Sequence, residues 1–207
     1  MGRDDWYRNT TWNDDIRDDF FARLNRSRLQ RDQYLVIQAL TLAESHPDVT
    51  LELVQLYFDT RRDTFHDVRA FDAKAKAHLR LRETKPALAA YREVLDLERR
   101  FPQMKTNAFV EYPFIVAIEG VRSEYEESVR VLNERAEDLA FPVQHFMWHA
   151  AYALILSDTS RQDARDHAQM AIKVAKEKKS GFRWHQNLGV VGLDHVKTLE
   201  LLRAIDT

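Results

Sequence analysis

The stretch FDAKAKAHLRLRETKPALAAYREVL, residues 71–95, decides the fold class. Its first part is rich in alanine and lysine, both strong helix formers. "RETKP" at 82–86 then interrupts, and proline marks the turn. From Ala87 the chain returns to alanine, leucine and tyrosine without another breaker before Pro102. Two helices over about 68–81 and 87–100, joined by a tight turn, are the expected outcome.

The rest of the chain extends this pattern. Five glycines and five prolines occur in 207 residues, too few punctuators for a strand-rich fold. A first helix is expected after Asn13, a good N-cap, with Asp14 and Asp15 favourably placed at its positive end. Its apolar stripe is Ile16, Phe20, Phe21 and Leu24. Asp14, Asp15, Asp18 and Asp19 are taken as a solvated helix start, not a metal site. Helix pairs follow: 34–45 with a second helix capped by Asp48 and ending near Phe58, then 68–81 with 87–100. The next two are 104–119 with 123–139, where Pro113 should kink or delay the first helix, and 143–157 with 160–178. A last helix over 194–204 has Val196, Leu199, Leu202 and Ile205 on its apolar face.

An internal period underlies these pairs. Tyr34, Phe71, Tyr112 and Trp148 each open the first helix of a pair. Sixteen residues after each comes a small residue: Thr50, Ala87, Ser128 and Ala164. A lone helix hairpin cannot bury its apolar face, whereas stacked hairpins complete one another's core. The aromatic fills the space between helices, and the small residue lets two backbones approach.

With this order the chain resembles the tetratricopeptide repeat family over residues 33–178. Phe71, Ala75, His78, Ala87 and Tyr91 match its large, small, aromatic, small, aromatic order, with His78 standing for an aromatic. Trp148, Ala164 and Ala171 match in the last unit. Glu119 and Arg135 depart from the pattern, and every unit is longer than the family's usual repeat of about 34 residues. The resemblance implies an all-α fold: an α-α superhelix of about four helix hairpins with capping ends. One continuous domain is expected, with an aromatic segment and capping helix at 1–32, repeats at 33–178, and an aromatic loop and capping helix at 179–207. WYRNTTWN at 6–13 and SGFRWH at 180–185 also resemble the ends of bacterial proteins with such repeats.

Both ends are unusually aromatic. A solenoid's terminal repeats need caps. Trp6, Tyr7 and Trp12 would each bury about 150–250 Å² if docked, an upper bound of about 4–6 kcal/mol apiece. They are expected to fold back as an N-terminal cap, with a presented binding surface as the alternative. Phe182 and Trp184 pose the same choice at the other end.

The family resemblance also places a partner. First helices of each pair line a concave groove in that family, which selects Leu35, Ala39, Arg69, Asp72, Lys76, Val110, Ala117, Phe146, His149 and Ala153. Arg69, Asp72 and Lys76 would orient a partner, and Phe146 and His149 would give apolar contact. The family's carboxylate clamp is not met, because Leu35, Ala39, Asp72 and Lys76 occupy its positions.

Other chemistry is sparse. There is no Gly-rich phosphate loop and no GxSxG. Without cysteine there is no disulfide or thiolate site, which fits a reducing cytoplasm. A net charge of −2 with both signs interleaved argues against a nucleic-acid partner. No apolar run is long enough for a membrane span, and the N-terminus has no secretion signal. Met1-Gly2 with Asp5 and Trp6 is a poor myristoylation match. His145 and His149 have metal-ligand spacing on one helix, but no third ligand is evident and no metal or cofactor is expected. The basic run at 173–179 suits a helix C-terminus, with an acidic partner as the sharper reading.

The expected function is therefore a non-catalytic protein or peptide interaction module, cytoplasmic and bacterial, its oligomeric state open. One alternative is an immunity or inhibitor protein for a toxin or enzyme. A metal-dependent enzyme built on His145 and His149 and a small-ligand or peptide-pheromone sensor are the others.

Overall fold

The computed structural model describes residues 5–207; the Met1-Gly2 reading lies outside them. Ten α-helices and three single-turn 3-10 helices make up the described residues, with no strand. The chain divides into two compact units, one ending at Ala108 and the other running from Phe109 to Thr207.

The first unit opens with α1 (Asp14–Arg26). The Asn13 side chain accepts a hydrogen bond from the Ile16 amide at 2.9 Å, and Asp14 and Asp15 sit in the first turn. Phe20 and Leu24 of its stripe are buried. Then come α2 (Arg31–Leu42), α3 (Pro47–Thr60), α4 (Asp67–Arg80) and α5 (Thr84–Arg100). Asp48 is not the cap of α3: Pro47 takes the first helical position, where its missing N–H costs nothing, and Asp48 follows inside the first turn. For the same reason α5 starts ahead of Pro86, at Thr84, since proline is tolerated in a first turn.

Within this unit α2 packs on α3, α4 on α5, and α4 also on α2 and α3. Small residues make the close approaches. Thr50 and Ala87 are fully buried, and the Thr50 hydroxyl donates to the Ala39 carbonyl of the neighbouring helix at 3.0 Å. In α4 the buried side chains include Ala70, Ala73, Ala75 and Ala77, which fill little space and bring backbones together. The turn from α3 to α4 is closed by a buried hydrogen bond of 2.7 Å from the Tyr57 hydroxyl to Asp67. Arg61 lies 3.4 Å from the same carboxylate and 4.9 Å from the Phe58 ring centroid.

The second unit takes in α6 (Ala108–Ile118), but for its first residue, then α7 (Tyr125–Glu134), α8 (Pro142–Leu156), α9 (Arg161–Val174) and α10 (Val196–Asp206). α6 begins later than the apolar pattern predicts and runs through Pro113, which removes one helical hydrogen bond donor from its interior. α8 and α9 pair, and α10 packs on both. Ser128 and Ala164 are fully buried, and the Trp148 indole donates to the Leu132 carbonyl at 3.1 Å. Leu202 is buried at the centre of α10's face, with Leu199 and Ile205 against the same cluster. Val196 is exposed, so that face starts one turn later than its spacing predicts.

Candidate functional site

Seven of the ten residues selected for a groove are buried. Leu35, Ala39, Val110, Ala117 and Ala153 are all buried, as are Asp72 and Phe146. Phe146 lies in the core of the second unit, 5.0 Å from the His195 ring, and has no surface to offer a partner. Asp72 is held by Lys76, with Nζ 3.0 Å from Oδ2, while its Oδ1 has no hydrogen-bond partner. Arg69 is exposed on α4.

His145 lies near enough to His149 to help lower its pKa. His149 turns to His167 of α9, with the two Nδ1 atoms 2.9 Å apart. Their ring centroids are 5.2 Å apart, a separation reached only when the two nitrogens point at each other along the line of centres. That is the geometry of one shared proton. A metal would sit off this line, with both lone pairs angled towards it at about 2.0–2.1 Å. Burial drives the His149 pKa down to about 4, helped by His167 and His145. Burial lowers that of His167 too, against the pull of Asp163 and Asp166. The pair is neutral at pH 7, so one Nδ1 donates and the other accepts. Trp148 and Tyr152 flank it, the latter stacked on His167 at 4.7 Å. No group of three or more metal-ligating side chains occurs among the described residues.

The two aromatic ends differ sharply. Trp6, Tyr7 and Trp12 are half-buried against the first core. Tyr7 stacks on Tyr34 at 4.4 Å, and Trp6 and Trp12 each meet Phe20 at 5.5 Å. One side chain that sequence reasoning did not single out fastens the segment. Gln38, fully buried in α2, accepts from the Asn9 amide at 3.0 Å and from Asn9 Nδ2 at 3.2 Å. Its own amide donates to the Asn9 carbonyl at 2.8 Å. The signal was a lone glutamine inside the apolar run YLVIQALTLA, residues 34–43.

At the other end, residues 180–189 form a closed loop. The Ser180 amide donates to the Gln186 carbonyl at 2.6 Å, and its hydroxyl donates to the His185 carbonyl at 2.7 Å. The loop is fixed to the start of α8. The Val143 amide donates to the Gly189 carbonyl at 2.7 Å, and Phe182 stacks on Phe141 at 5.1 Å. Gly189 has φ +70°, and a Cβ there would lie 2.6 Å from the Phe141 ring, so the position needs glycine. From this fixed base Trp184 is 81% exposed and Leu193 90%, with Phe182 and Leu188 also exposed. Arg183 lies 5.0 Å over the Trp184 ring. Lys176, Lys178 and Lys179 are exposed beside it in sequence, with Glu177 the one acid among them.

No helix is long and apolar enough to cross a membrane, among the described residues. No family model matches the chain, and neither does a curated protein or a solved structure.

Proposed function

We propose that the chain is a non-catalytic interaction module of tetratricopeptide-like hairpins that grips a protein or peptide partner through residues 180–193. The contacts of α2, α3, α4 and α5 in the first unit support the repeat reading. The observation that carries the function is Trp184: a large ring held in water on a loop fastened at both ends. Exposed large apolar groups on a fixed base are what a binding hot spot needs, because little ordering entropy is lost on contact. Lys176, Lys178, Lys179 and Arg183 favour a partner whose contact surface is acidic around an apolar centre.

Affinity capture from the native host's lysate tests this, with wild type beside Trp184→Ala and Lys178→Glu/Lys179→Glu. These side chains are exposed, so folding is unaffected. The expected result is a partner held by wild type and lost by both variants, with Arg69→Ala retaining it. A partner held equally by all four proteins would overturn the assignment of the loop.

A further inference from the structure

A cavity of about 400 Å³ opens in the first unit, between the loop from α3 to α4, the first turn of α4 and the end of α5. Phe65, Val68, Leu97, Phe101 and Met104 line it with apolar surface. The volume falls in the range of small-molecule sites, roughly 300–1,000 Å³. Two of its aromatic walls face water: Phe65 is 64% exposed and Phe101 43%. Isolated exposed rings need no explanation, but two on the lips of one apolar cavity mark a recognition site.

The charge at this site is also specific. Asp63 lines the same cavity from the exposed loop. Its Oδ1 accepts a hydrogen bond from the Phe65 amide at 2.9 Å. It makes no ion pair with any described residue. A carboxylate in no ion pair, lining one cavity with two aromatic rings, is suited to an ammonium group: the carboxylate supplies charge and the rings can supply cation–π attraction. An anionic ligand would meet the carboxylate unfavourably.

We propose that this cavity binds a small aromatic amine, its ring among Leu97, Phe101 and Met104 and its ammonium at Asp63. The cavity is built from residues 63–104 and the exposed loop from residues 180–193, and neither assignment depends on the other.

Calorimetric titration with three ring-matched probes tests it: tryptamine, neutral 3-methylindole and anionic indole-3-acetate. Tryptamine should bind most tightly and indole-3-acetate least. Asp63→Asn, at an exposed position, should weaken tryptamine roughly fivefold, the worth of a partly exposed ion pair, and leave 3-methylindole unchanged. Methyl NMR should show Met104 shifting with tryptamine while Met147 and Met170 stay still. No saturable binding by any probe would overturn the site. Equal affinity for amine and acid, or an Asp63→Asn protein that binds tryptamine as wild type does, would overturn the role of Asp63.

Discussion

Replacing Gln38 by alanine should free the N-terminal aromatic segment and leave the helices standing. Gln38 makes three hydrogen bonds with Asn9, using both ends of its amide and both backbone groups of the segment. Each bond is worth about 1 kcal/mol net, so the docked state loses about 3 kcal/mol, more if Asn9's polar groups stay buried unpaired. Against this stands the ring packing of Trp6, Tyr7 and Trp12. It is incomplete, since all three keep some exposure, and the entropy of ordering some eight residues opposes it at about 1 kcal/mol each. Ring burial and ordering entropy are of similar size and oppose each other, so losing the hydrogen bonds tips the balance. Hydrogen exchange reads the result directly: the Asn9 amide, protected in wild type by the Gln38 side chain, should exchange at close to the free-chain rate. Core amides of α4 and α5 should keep their protection. Gln38→Leu separates the lost bonds from the lost volume and should behave as alanine does. An Asn9 amide still protected in both variants would refute the reasoning. So would a uniform loss of protection across the unit, because it would make Gln38 a core residue and not a latch.

Two further perturbations bear on the second unit. The His149 pKa of about 4 lies below that of an unfolded histidine, so between about pH 6.5 and 4 the unfolded chain takes up a proton that the folded chain refuses. Stability should fall as pH falls through that window by about 2 kcal/mol, allowing for the ring's residual exposure. His149→Gln should flatten the fall in urea midpoints, with His66, His167 and His195, all also depressed, supplying what slope remains; matching slopes for the two proteins would refute it. Gly189→Ala should detach the aromatic loop, since a left-handed residue with a Cβ costs about 1–2 kcal/mol before its clash with Phe141 is counted. Limited proteolysis should then cut within 180–189 while circular dichroism is unchanged, and a loop as resistant as wild type would show the anchor unnecessary.

The helical class was legible because composition alone excludes strands, and the four small residues were legible because spacing alone locates them. Thr50, Ala87, Ser128 and Ala164 are all fully buried. Thr50 reaches the Ala39 carbonyl of the neighbouring helix, a close approach that a side chain's volume records directly. The candidate site was legible only as a list of aromatics. WYRNTTWN and SGFRWH differ little in composition, yet one is packed and the other presented. The difference lies in partners far away in sequence: Gln38, 29 residues from Asn9, and Phe141 with Val143, which meet the loop through Phe182 and Gly189. Most of the groove residues are buried for a related reason. Choosing them assumed that first helices leave one face open, but a helix whose faces carry Ala70, Ala73, Ala75 and Ala77 can be approached from several sides at once. Alanine signals a close contact without saying with what. A buried glutamine is more informative. Its amide cannot stay unpaired in an apolar run, so Gln38 requires a polar partner from another segment. The segment most in need of an anchor was the one carrying Asn9.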